Sequence, residues 1–427
     1  MNRLLRNARL ADGRLVDLAV SDGRIVSVDE AVSLTPSVNG SAAGSTLGSS
    51  GTEDSTITDL GGWLTLPAMA EPHAHLDKAL TAEAVPNPTG DLMGAIEAWV
   101  DAAGQGMFTY DNTMERAAAA MELLLVHGVT AVRTHVNVLG SNQTISLRAI
   151  KEAAARFDGL LDVQTVALTS SPVTGTSPEA VANRQALYAA VSEGVDFVGG
   201  CPHLDPDGPG VIRQAITIAA DAGIGIDLHV DEMLDPSVLT LRDFARQIID
   251  HGFEGLVAAS HCVTLGMQSP EVQREVAALV AEANMAVFPL PQTNLFLQGR
   301  DHPTATPRGL TALDALLEAG VVVAAGGDNV QDPFNLVGRS DPLETAALMV
   351  MAGHRLPDEA YDMVSNRPRA AMGLPTVSLQ PGDPADLVAL DAPSIRGAIA
   401  DAPMSRRVFR RGLLVASADQ QTAVHRR

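Results

Sequence analysis

The pattern of apolar and polar positions changes along this chain, and each change predicts a different kind of structure. Residues 1–30 alternate apolar and polar side chains and carry Asp-Gly pairs at Asp12-Gly13 and Asp22-Gly23, which predicts short strands joined by tight turns. Residues 31–57 are rich in Ser, Gly and Thr and show no period, which predicts a flexible surface loop.

The middle of the chain has near-continuous apolar runs separated by helical stretches. Runs of this kind are typical of strands that are covered on both faces. Helix starts are visible at Ser177-Pro178 and Ser269-Pro270, and residues 114–127 predict a strong helix that ends at Gly128. The eight apolar runs lie at residues 63–70, 129–138, 161–168, 195–201, 224–230, 255–262, 285–290 and 321–327.

Eight strand–helix units fit a (β/α)8 barrel in number and length, so we predict an α/β fold with a barrel domain at residues 63–375. A doubly wound open sheet is the alternative. Short apolar strands return at residues 385–390 and 407–416. Strands at both ends of the chain predict one small composite β-domain, built from residues 1–62 and 376–427.

The composition and net charge exclude some classes of binding partner and leave the predicted fold unchanged. The chain is 46% hydrophobic and 19% charged, as globular proteins are, and its net charge of −22 argues against nucleic acid and anionic membranes as partners. No apolar run approaches the roughly 20 residues that span a bilayer, and the N-terminal sequence lacks the apolar core of a signal peptide. We therefore expect a cytoplasmic protein. Cys201 and Cys262 form no disulfide or zinc pattern and are interpreted as core residues.

Histidines and carboxylates collect at the predicted carboxyl ends of the strands, which is where barrels carry their active sites. His73 and His75 stand two positions apart at the end of the first run, a spacing that puts both side chains on one face of a strand. The other strand-end residues are His135, His203, His229, Asp231, Glu232, His261 and Asp328.

The residue types at these ends indicate metal-assisted hydrolysis. Three imidazoles and a carboxylate suit one divalent ion, Zn²⁺ or Fe²⁺ with Mn²⁺ also accepted, and leave a position for water whose pKa the ion lowers. Glu232 is expected to take the proton of that water and pass it to a leaving nitrogen, and His261 to hydrogen-bond the hydroxide or the oxyanion. Asp328 is expected to be both ligand and catalytic residue. The expected ligands are His73, His75, His229 and Asp328.

Seven ordered segments resemble the amidohydrolase superfamily, in particular its cytosine-deaminase-like branch, and the HLDK form is similar to N-isopropylammelide hydrolases. The resemblance runs from about residue 60 to 416 and implies a barrel with a composite β-sandwich, one metal on the four ligands, Glu232 as proton shuttle and His261 as the hydroxide-orienting group. The run VDFVGG (195–200) lacks the lysine that bridges two metals in binuclear relatives, so one metal is implied. The segments are PHAHLDK (72–78), VRTHVNV (132–138), CPHLD (201–205), DLHVDE (227–232), ASHC (259–262), NLFLQGR (294–300) and GGDNVQDP (326–333).

Departures from the cytosine-deaminase pattern concern the substrate. Thr169-Ser170-Ser171-Pro172 stands where those enzymes have Pro-Gln-Glu-Gly, Asn329 stands where they have a second Asp, and Phe334 stands where they have Trp. Hydroxyl groups cannot reproduce the two-point contact of an amide, so cytosine itself is a doubtful substrate. The residues expected to contact the substrate are Ser170, His203, Gln298, Asn329 and Phe334.

The predicted function is hydrolysis of a non-peptide C–N bond in a small, cyclic, nitrogen-rich compound, with deamination by metal-bound hydroxide favoured. Ring opening of a cyclic amide or imide shares the same tetrahedral intermediate and stays the alternative. A non-catalytic barrel that binds a ligand is the alternative from another class. The sequence leaves open the exact substrate, the identity of the metal and whether the chain forms a homo-oligomer.

Overall fold

The computed structural model describes residues 2–31, 56–140 and 143–425. The chain divides into two compact units, Met1–Ala68 together with Thr376–Arg427, and Met69–Pro375. Apart from its ends, the loop predicted at residues 31–57 lies outside the described residues. Thr56, in that predicted loop, already begins a strand in which it pairs with Arg3.

Strands and helices alternate through the larger unit, whereas strands dominate the terminal unit. The strands are β1 (Asn2–Arg9), β2 (Leu15–Ser21), β3 (Arg24–Glu30), β4 (Thr56–Asp59), β5 (Leu64–Pro67), β6 (Met69–Ala74), β7 (Val129–Val138), β8 (Asp162–Thr169), β9 (Phe197–Gly199), β10 (Gly225–Val230), β11 (Val257–His261), β12 (Ala286–Phe288), β13 (Leu387–Leu390), β14 (Arg406–Arg410) and β15 (Leu413–Ala418). The helices are α1 (Leu92–Gly104), α2 (Tyr110–Val126), α3 (Ile145–Ala155), α4 (Pro178–Ser192), α5 (Gly208–Ala222), α6 (Thr240–His251), α7 (Pro270–Glu282), α8 (Pro291–Leu297), α9 (Leu313–Glu318), α10 (Pro342–Met351), α11 (Pro357–Asp362), α12 (Asn366–Ala371) and α13 (Ile395–Asp401). Short 3-10 helices span Pro202–Leu204 and Val263–Met267.

Both ends of the chain build the sheet of the terminal unit. Its strands are hydrogen-bonded in the order β15-β14-β13-β5-β1-β2-β3, and β4 pairs with β1. The β2–β3 hairpin turns at Asp22-Gly23, where φ is 51° and 78°, because a two-residue type I′ turn needs positive φ at both central positions. Leu18, Leu387 and Phe409 are fully buried in the core of this unit, so residues from both ends of the chain share one core.

The apolar run at residues 63–70 serves two sheets rather than one. Its first part is β5, which pairs antiparallel with β13 in the terminal unit, and its second part opens β6 in the barrel. The terminal unit therefore extends to Ala68 instead of the predicted residue 62. Both strands are buried and the run is mostly apolar through both, so the pattern does not mark the change from one sheet to the other.

Seven parallel strands, β6 to β12, lie side by side in chain order in the larger unit. Residues 321–328 close the sheet on itself through single bridges to both of its edges. The Val287 N–H donates to the Val322 carbonyl (3.0 Å), and the Asp328 N–H donates to the His73 carbonyl (3.1 Å). The closed sheet excludes the open doubly wound alternative and confirms the predicted (β/α)8 barrel.

A buried carboxylate ties the two sides of this closure together. Glu71 accepts hydrogen bonds from the N–H groups of His73 (3.1 Å) and Gly327 (2.9 Å). A Cβ at Gly326 would lie 2.6 Å from Glu71 Oε1, so the close approach of the two segments requires glycine there. Glu71 therefore fixes the first and eighth strand ends relative to each other.

Within the described residues, no helix is both long and apolar enough to cross a membrane.

Candidate active site

The four expected metal ligands converge at the carboxyl end of the barrel. His73 is inside β6 and His75 directly follows it, so the two imidazoles share one face of the strand. The Nε2 atoms of His73 and His75 are 3.3 Å apart, and those of His75 and His229 are 3.1 Å apart. Asp328 Oδ1 lies 3.5 Å from His73 Nε2 and 3.3 Å from His75 Nε2. The ligand nitrogens of the three histidines thus lie within 4.8 Å of one another, and the Asp328 oxygen lies within 3.5 Å of two of them.

This donor set fits a divalent metal. Burial lowers the pKa of His73, His75 and His229 well below the ordinary value, so the imidazoles are neutral and each has a nitrogen lone pair to offer. Asp328 Oδ1 is directed at the imidazole nitrogens of His73 and His75. Ligand bonds of about 2.0–2.1 Å place the donors of a tetrahedral site roughly 3.3–3.4 Å apart, close to the separations observed. The cluster and its burial therefore suggest a divalent metal.

Burial raises the pKa of Asp328 to about 8, although a hydrogen bond from the Thr293 side chain and the charge of Lys78 both act to lower it. Burial, followed by the nearby Asp328 carboxylate, also raises the pKa of Glu232 well above its ordinary range, and the Lys78 ammonium opposes this shift. A bound cation acts in the same direction as Lys78, because positive charge favours both carboxylates. A positive ion at this point would therefore lower the pKa of both carboxylates.

Glu232 and His261 face each other beside the cluster. Glu232 Oε2 lies 3.6 Å from His261 Nε2. The side-chain Nδ2 of Asn294 donates to the Gly309 carbonyl (2.9 Å), which turns its Oδ1 toward His261 Nδ1 (2.9 Å). His261 therefore carries its proton on Nδ1 and presents an unprotonated Nε2, and burial lowers its pKa to about 3.

A cavity of about 160 Å³ opens over the cluster. The polar part of its wall includes Lys78, whose Nζ lies 3.0 Å from His75 Nδ1 and 3.3 Å from Asn137 Oδ1. The rings of Trp99 and Phe334 lie 5.6 and 5.7 Å from the same ammonium, within the range of cation–π attraction. The apolar part of the wall consists of Leu92, Ile96, Trp99, Val100, Leu139, Leu168, Leu204 and Phe334.

The residues expected to contact the substrate fall into two groups. Ser170, Asn329 and Phe334 line the cavity, whereas His203 and Gln298 are outside its described lining. Gln298 Nε2 donates to the Glu232 carbonyl (3.0 Å), so this side chain braces the loop that carries Glu232. His203 lies in the 3-10 helix Pro202–Leu204, where burial lowers its pKa to about 4.

Two further polar side chains near the strand ends have structural partners. Asp231 is buried and accepts hydrogen bonds from the N–H groups of Thr240 (2.9 Å) and Leu241 (3.0 Å), at the start of α6. The amide of Asn329 donates to Asp332 Oδ2 at 2.8 Å. His135 lies beneath the cluster, with its ring centre 3.9 Å from that of His73.

The two cysteines differ from each other. Cys262 is fully buried and its Sγ contacts the Ser260 carbonyl at 3.7 Å, consistent with a packing role. Cys201 instead lines the cavity, and burial raises its thiol pKa to about 12. The interpretation of Cys201 as a core residue is therefore incomplete, because the short β9 ends just before it at the cavity wall.

Sequence reasoning missed the wall that α1 supplies. Ile96, Trp99 and Val100 of this helix line the cavity, and the Trp99 ring stacks on Phe108 at 3.7 Å. The signal was available, because residues 75–128 hold two helices where one is enough to connect neighbouring barrel strands. An additional helix after a barrel strand commonly contributes to the active-site face.

Comparisons with known proteins agree with the fold and identify the family. The model of the Amidohydrolase family matches residues 109–416. The chain is 33% identical over 355 residues to a pterin deaminase of Rhizobium rhizogenes, covering 82% of this chain and 80% of that protein. It is 24% identical over 436 residues to the N-isopropylammelide isopropyl amidohydrolase of Pseudomonas sp. strain ADP, covering 96% of both chains.

A solved structure extends the similarity to nearly every residue. The 5-methylcytosine deaminase of Klebsiella pneumoniae, in its complex with phosphonocytosine, superposes with a TM-score of 0.84 and 26% identity over 99% of this chain and 100% of that one. The resemblance to the cytosine-deaminase-like branch is thereby confirmed. The chain belongs to the amidohydrolase family and is a hydrolase of carbon–nitrogen bonds.

Proposed function

We propose that the barrel unit is a metal-dependent aminohydrolase that releases ammonia from a small nitrogen heterocycle, with His73, His75, His229 and Asp328 as the metal ligands. The observation that carries the proposal is the cluster of ligand nitrogens from His73, His75 and His229 within 4.8 Å of one another, with Asp328 Oδ1 at 3.5 and 3.3 Å from the first two. When bound, a divalent metal supplies Lewis acidity, which lowers the pKa of water and polarises a C=N bond.

Glu232 and His261 provide the proton chemistry in this proposal. The unprotonated Nε2 of His261 accepts a hydrogen bond from the attacking water and so orients that water. Because this nitrogen carries no proton, His261 acts here as a hydrogen-bond acceptor and not as a donor to an oxyanion. Glu232 Oε2, 3.6 Å from that nitrogen, takes the proton of the water and delivers it to the departing amine. A C–O bond forms at the ring carbon of the C=N bond, and the bond from that carbon to the exocyclic amine breaks. One proton of the water leaves with the amine as ammonia and the other ends on the ring nitrogen, so that a ring N–H and carbonyl remain.

One metal ion is proposed, because β9 and the residues beside it, VDFVGG (195–200), offer no lysine to bridge a second ion. Zn²⁺ and Fe²⁺ are the preferred ions for an imidazole-rich site with one carboxylate, and Mn²⁺ is a weaker match. We place this activity in residues 69–375, the unit that contains every proposed ligand.

We propose a pterin-like ring as the substrate class, with Ser170, Asn329 and Phe334 as contacts. The relative with 33% identity is a pterin deaminase. In proteins generally, a dry cavity of about 150 Å³ is large enough to bind benzene. The cavity of about 160 Å³ over the metal cluster therefore suits a small planar ring system whose outer edge lies at the opening of the cavity. Cytosine is disfavoured because Thr169-Ser170-Ser171 offers hydroxyls in place of a side-chain amide.

Deamination is favoured over ring opening because the relatives compared above include deaminases of pterin and of 5-methylcytosine. The non-catalytic alternative is disfavoured because Glu232 and His261 lie 3.6 Å apart at the edge of the metal cluster, where a ligand-binding barrel has no need of them.

The test is an ammonia-release assay on Zn²⁺-, Fe²⁺- and Mn²⁺-loaded full-length protein with pterin, cytosine and an aminotriazine, alongside an absorbance assay for ring opening. We expect ammonia from pterin at least 10-fold faster, as kcat/KM, than from cytosine, and no activity after chelation. Activity that survives complete removal of the metal would refute the mechanism, and a preference for cytosine would refute the substrate class.

A further inference from the structure

A chain of buried polar side chains runs from the metal cluster into the barrel interior. His73 Nδ1 lies 2.8 Å from Ser260 Oγ, and the Ser260 hydroxyl donates to Asp227 Oδ1 at 3.1 Å. Arg133 Nη1 donates to the other oxygen, Asp227 Oδ2, at 2.8 Å. All four side chains have zero exposure to solvent. None of them except His73 belongs to the ligand set, and none lines the described cavity.

The direction of each hydrogen bond follows from the donors and acceptors present. The Arg133 guanidinium has only donors, and it holds Asp227 as an ionised carboxylate. Both carboxylate oxygens of Asp227 therefore accept hydrogen bonds. The Ser260 hydroxyl has one proton and must give it to Asp227. Ser260 then has only lone pairs to offer His73, so the proton between them belongs to His73 Nδ1. A neutral imidazole with its proton on Nδ1 keeps a lone pair on Nε2.

We propose that Ser260 and Asp227 are positioning residues that hold His73 in the Nδ1-protonated tautomer and thereby keep its Nε2 available to the metal. The inference rests on the metal site proposed above. His229 Nδ1 has no hydrogen-bond partner among the described residues, and His75 Nδ1 faces Lys78, so the contact with the Ser260 hydroxyl distinguishes His73 from the other two imidazoles.

The surroundings of Arg133 keep this array rigid. Its guanidinium lies 3.8 Å from the ring centre of Phe197, and its Nη2 donates to the Ala371 carbonyl at 3.2 Å. Its Nε donates to Gln164 Oε1 at 3.1 Å. Three acceptors and an aromatic face fix the orientation of the Arg133 guanidinium. The guanidinium in turn fixes the orientation of the Asp227 carboxylate.

The test measures the Zn²⁺ dissociation constant of the full-length protein by competition with a chromogenic chelator. Ser260→Ala removes the acceptor of His73 Nδ1 and should weaken Zn²⁺ binding by roughly 10–100-fold, as loss of an outer partner of a ligating histidine does. Ser260→Thr keeps the hydroxyl and should restore binding. Ser365→Ala is the matched control, because Ser365 is 1% exposed and its hydroxyl donates to the Tyr361 carbonyl at 2.7 Å.

A second measurement leaves Ser260, Asp227 and Arg133 unchanged and uses a His73 variant only to assign the signals. In ¹⁵N-histidine NMR of the metal-free wild type, the signals that disappear in His73→Gln should report an Nδ1–H tautomer. An Nε2–H tautomer for His73, or a Ser260→Ala protein that binds Zn²⁺ as tightly as the wild type, would overturn the inference. Failure of the wild type to bind Zn²⁺, Fe²⁺ or Mn²⁺ would instead overturn the proposed metal centre, so the two failures are distinguishable.

Discussion

The Nε2 atoms of His75 and His229 lie 3.1 Å apart, although 154 positions separate the two residues in the sequence. Burial lowers the pKa of both imidazoles well below the ordinary value, so neither is charged at neutral pH. Two neutral imidazoles in this arrangement can share one proton as donor and acceptor, or both can direct lone pairs at one cation. The nearby carboxylate of Asp328, 3.3 Å from His75 Nε2, favours the cation.

Asp328→Asn should abolish stable metal binding, because the variant keeps the shape of the side chain and loses the one negative charge in the ligand set. The loss of affinity should exceed the roughly 10–100-fold that loss of an outer partner costs. Asp231→Asn is the control, since Asp231 is also buried at the end of the barrel and accepts backbone hydrogen bonds at the start of α6. Metal analysis after dialysis should find the ion in Asp231→Asn and not in Asp328→Asn. Equal metal content in both would remove Asp328 from the ligand set.

Glu232→Gln should retain the metal and lose about 10²–10⁴-fold in kcat, the usual contribution of a general acid–base. The amide can still hydrogen-bond but cannot carry the proton from water to the amine. The exposed Glu254→Gln serves as the control for removing a glutamate charge. Turnover of Glu232→Gln within a few-fold of the wild type, with full metal content, would exclude Glu232 as the proton carrier.

His261 should make the metal-free protein less stable in acid. Burial lowers its pKa to about 3, against an ordinary value of about 6.5, so the unfolded chain binds the proton at a higher pH than the folded chain. Its contribution to stability is therefore complete above pH of about 6.5 and is lost as the pH falls toward 3.

Urea unfolding from pH of about 7 down to 4 measures this effect as a slope of the free energy of unfolding. In His261→Gln the slope should be smaller by up to about 1.4 kcal/mol per pH unit, the value for one proton. The exposed His302→Gln should leave the slope unchanged. The same slope in His261→Gln and the wild type would show that the folded state does not hold this imidazole neutral.

Ile96→Ala in α1 should raise KM and leave kcat nearly unchanged, because the side chain lines the cavity and carries no group that could transfer a proton. Removing three carbons of this half-buried side chain from the contact surface should cost roughly 1–2 kcal/mol of binding, or about 10-fold in KM. Met93→Ala changes an exposed residue of the same helix and is the control. A fall in kcat with constant KM would place Ile96 in transition-state stabilisation and contradict its assignment to the binding wall.

The barrel and the ligand cluster were predictable from the sequence because both follow from local patterns. Eight apolar runs specify buried parallel strands, and a polar residue at the end of such a run must lie at one face of the closed sheet. The His73–His75 spacing places both imidazoles on one face before any tertiary contact is known. The identity of the metal and the oligomeric state stay predictions.

Other features depend on contacts that no local pattern records. Ser260 meets His73 across 187 positions, and the direction of their hydrogen bond depends on Asp227 and Arg133. Gln298, expected in the substrate pocket, directly follows α8 and donates to the Glu232 carbonyl, a contact across 66 positions that only tertiary packing sets. The apolar run at residues 63–70 is divided between two sheets, and its sequence pattern does not show where one strand ends and the next begins.

The most direct test of the proposed metal centre is X-ray diffraction from crystals of the Zn²⁺-loaded protein, with anomalous data on both sides of the zinc absorption edge. The proposal predicts one anomalous peak per chain, within about 2.0–2.2 Å of His73 Nε2, His75 Nε2, His229 Nε2 and an Asp328 carboxylate oxygen. A peak bound elsewhere, or no peak between these four side chains at full loading, would contradict it.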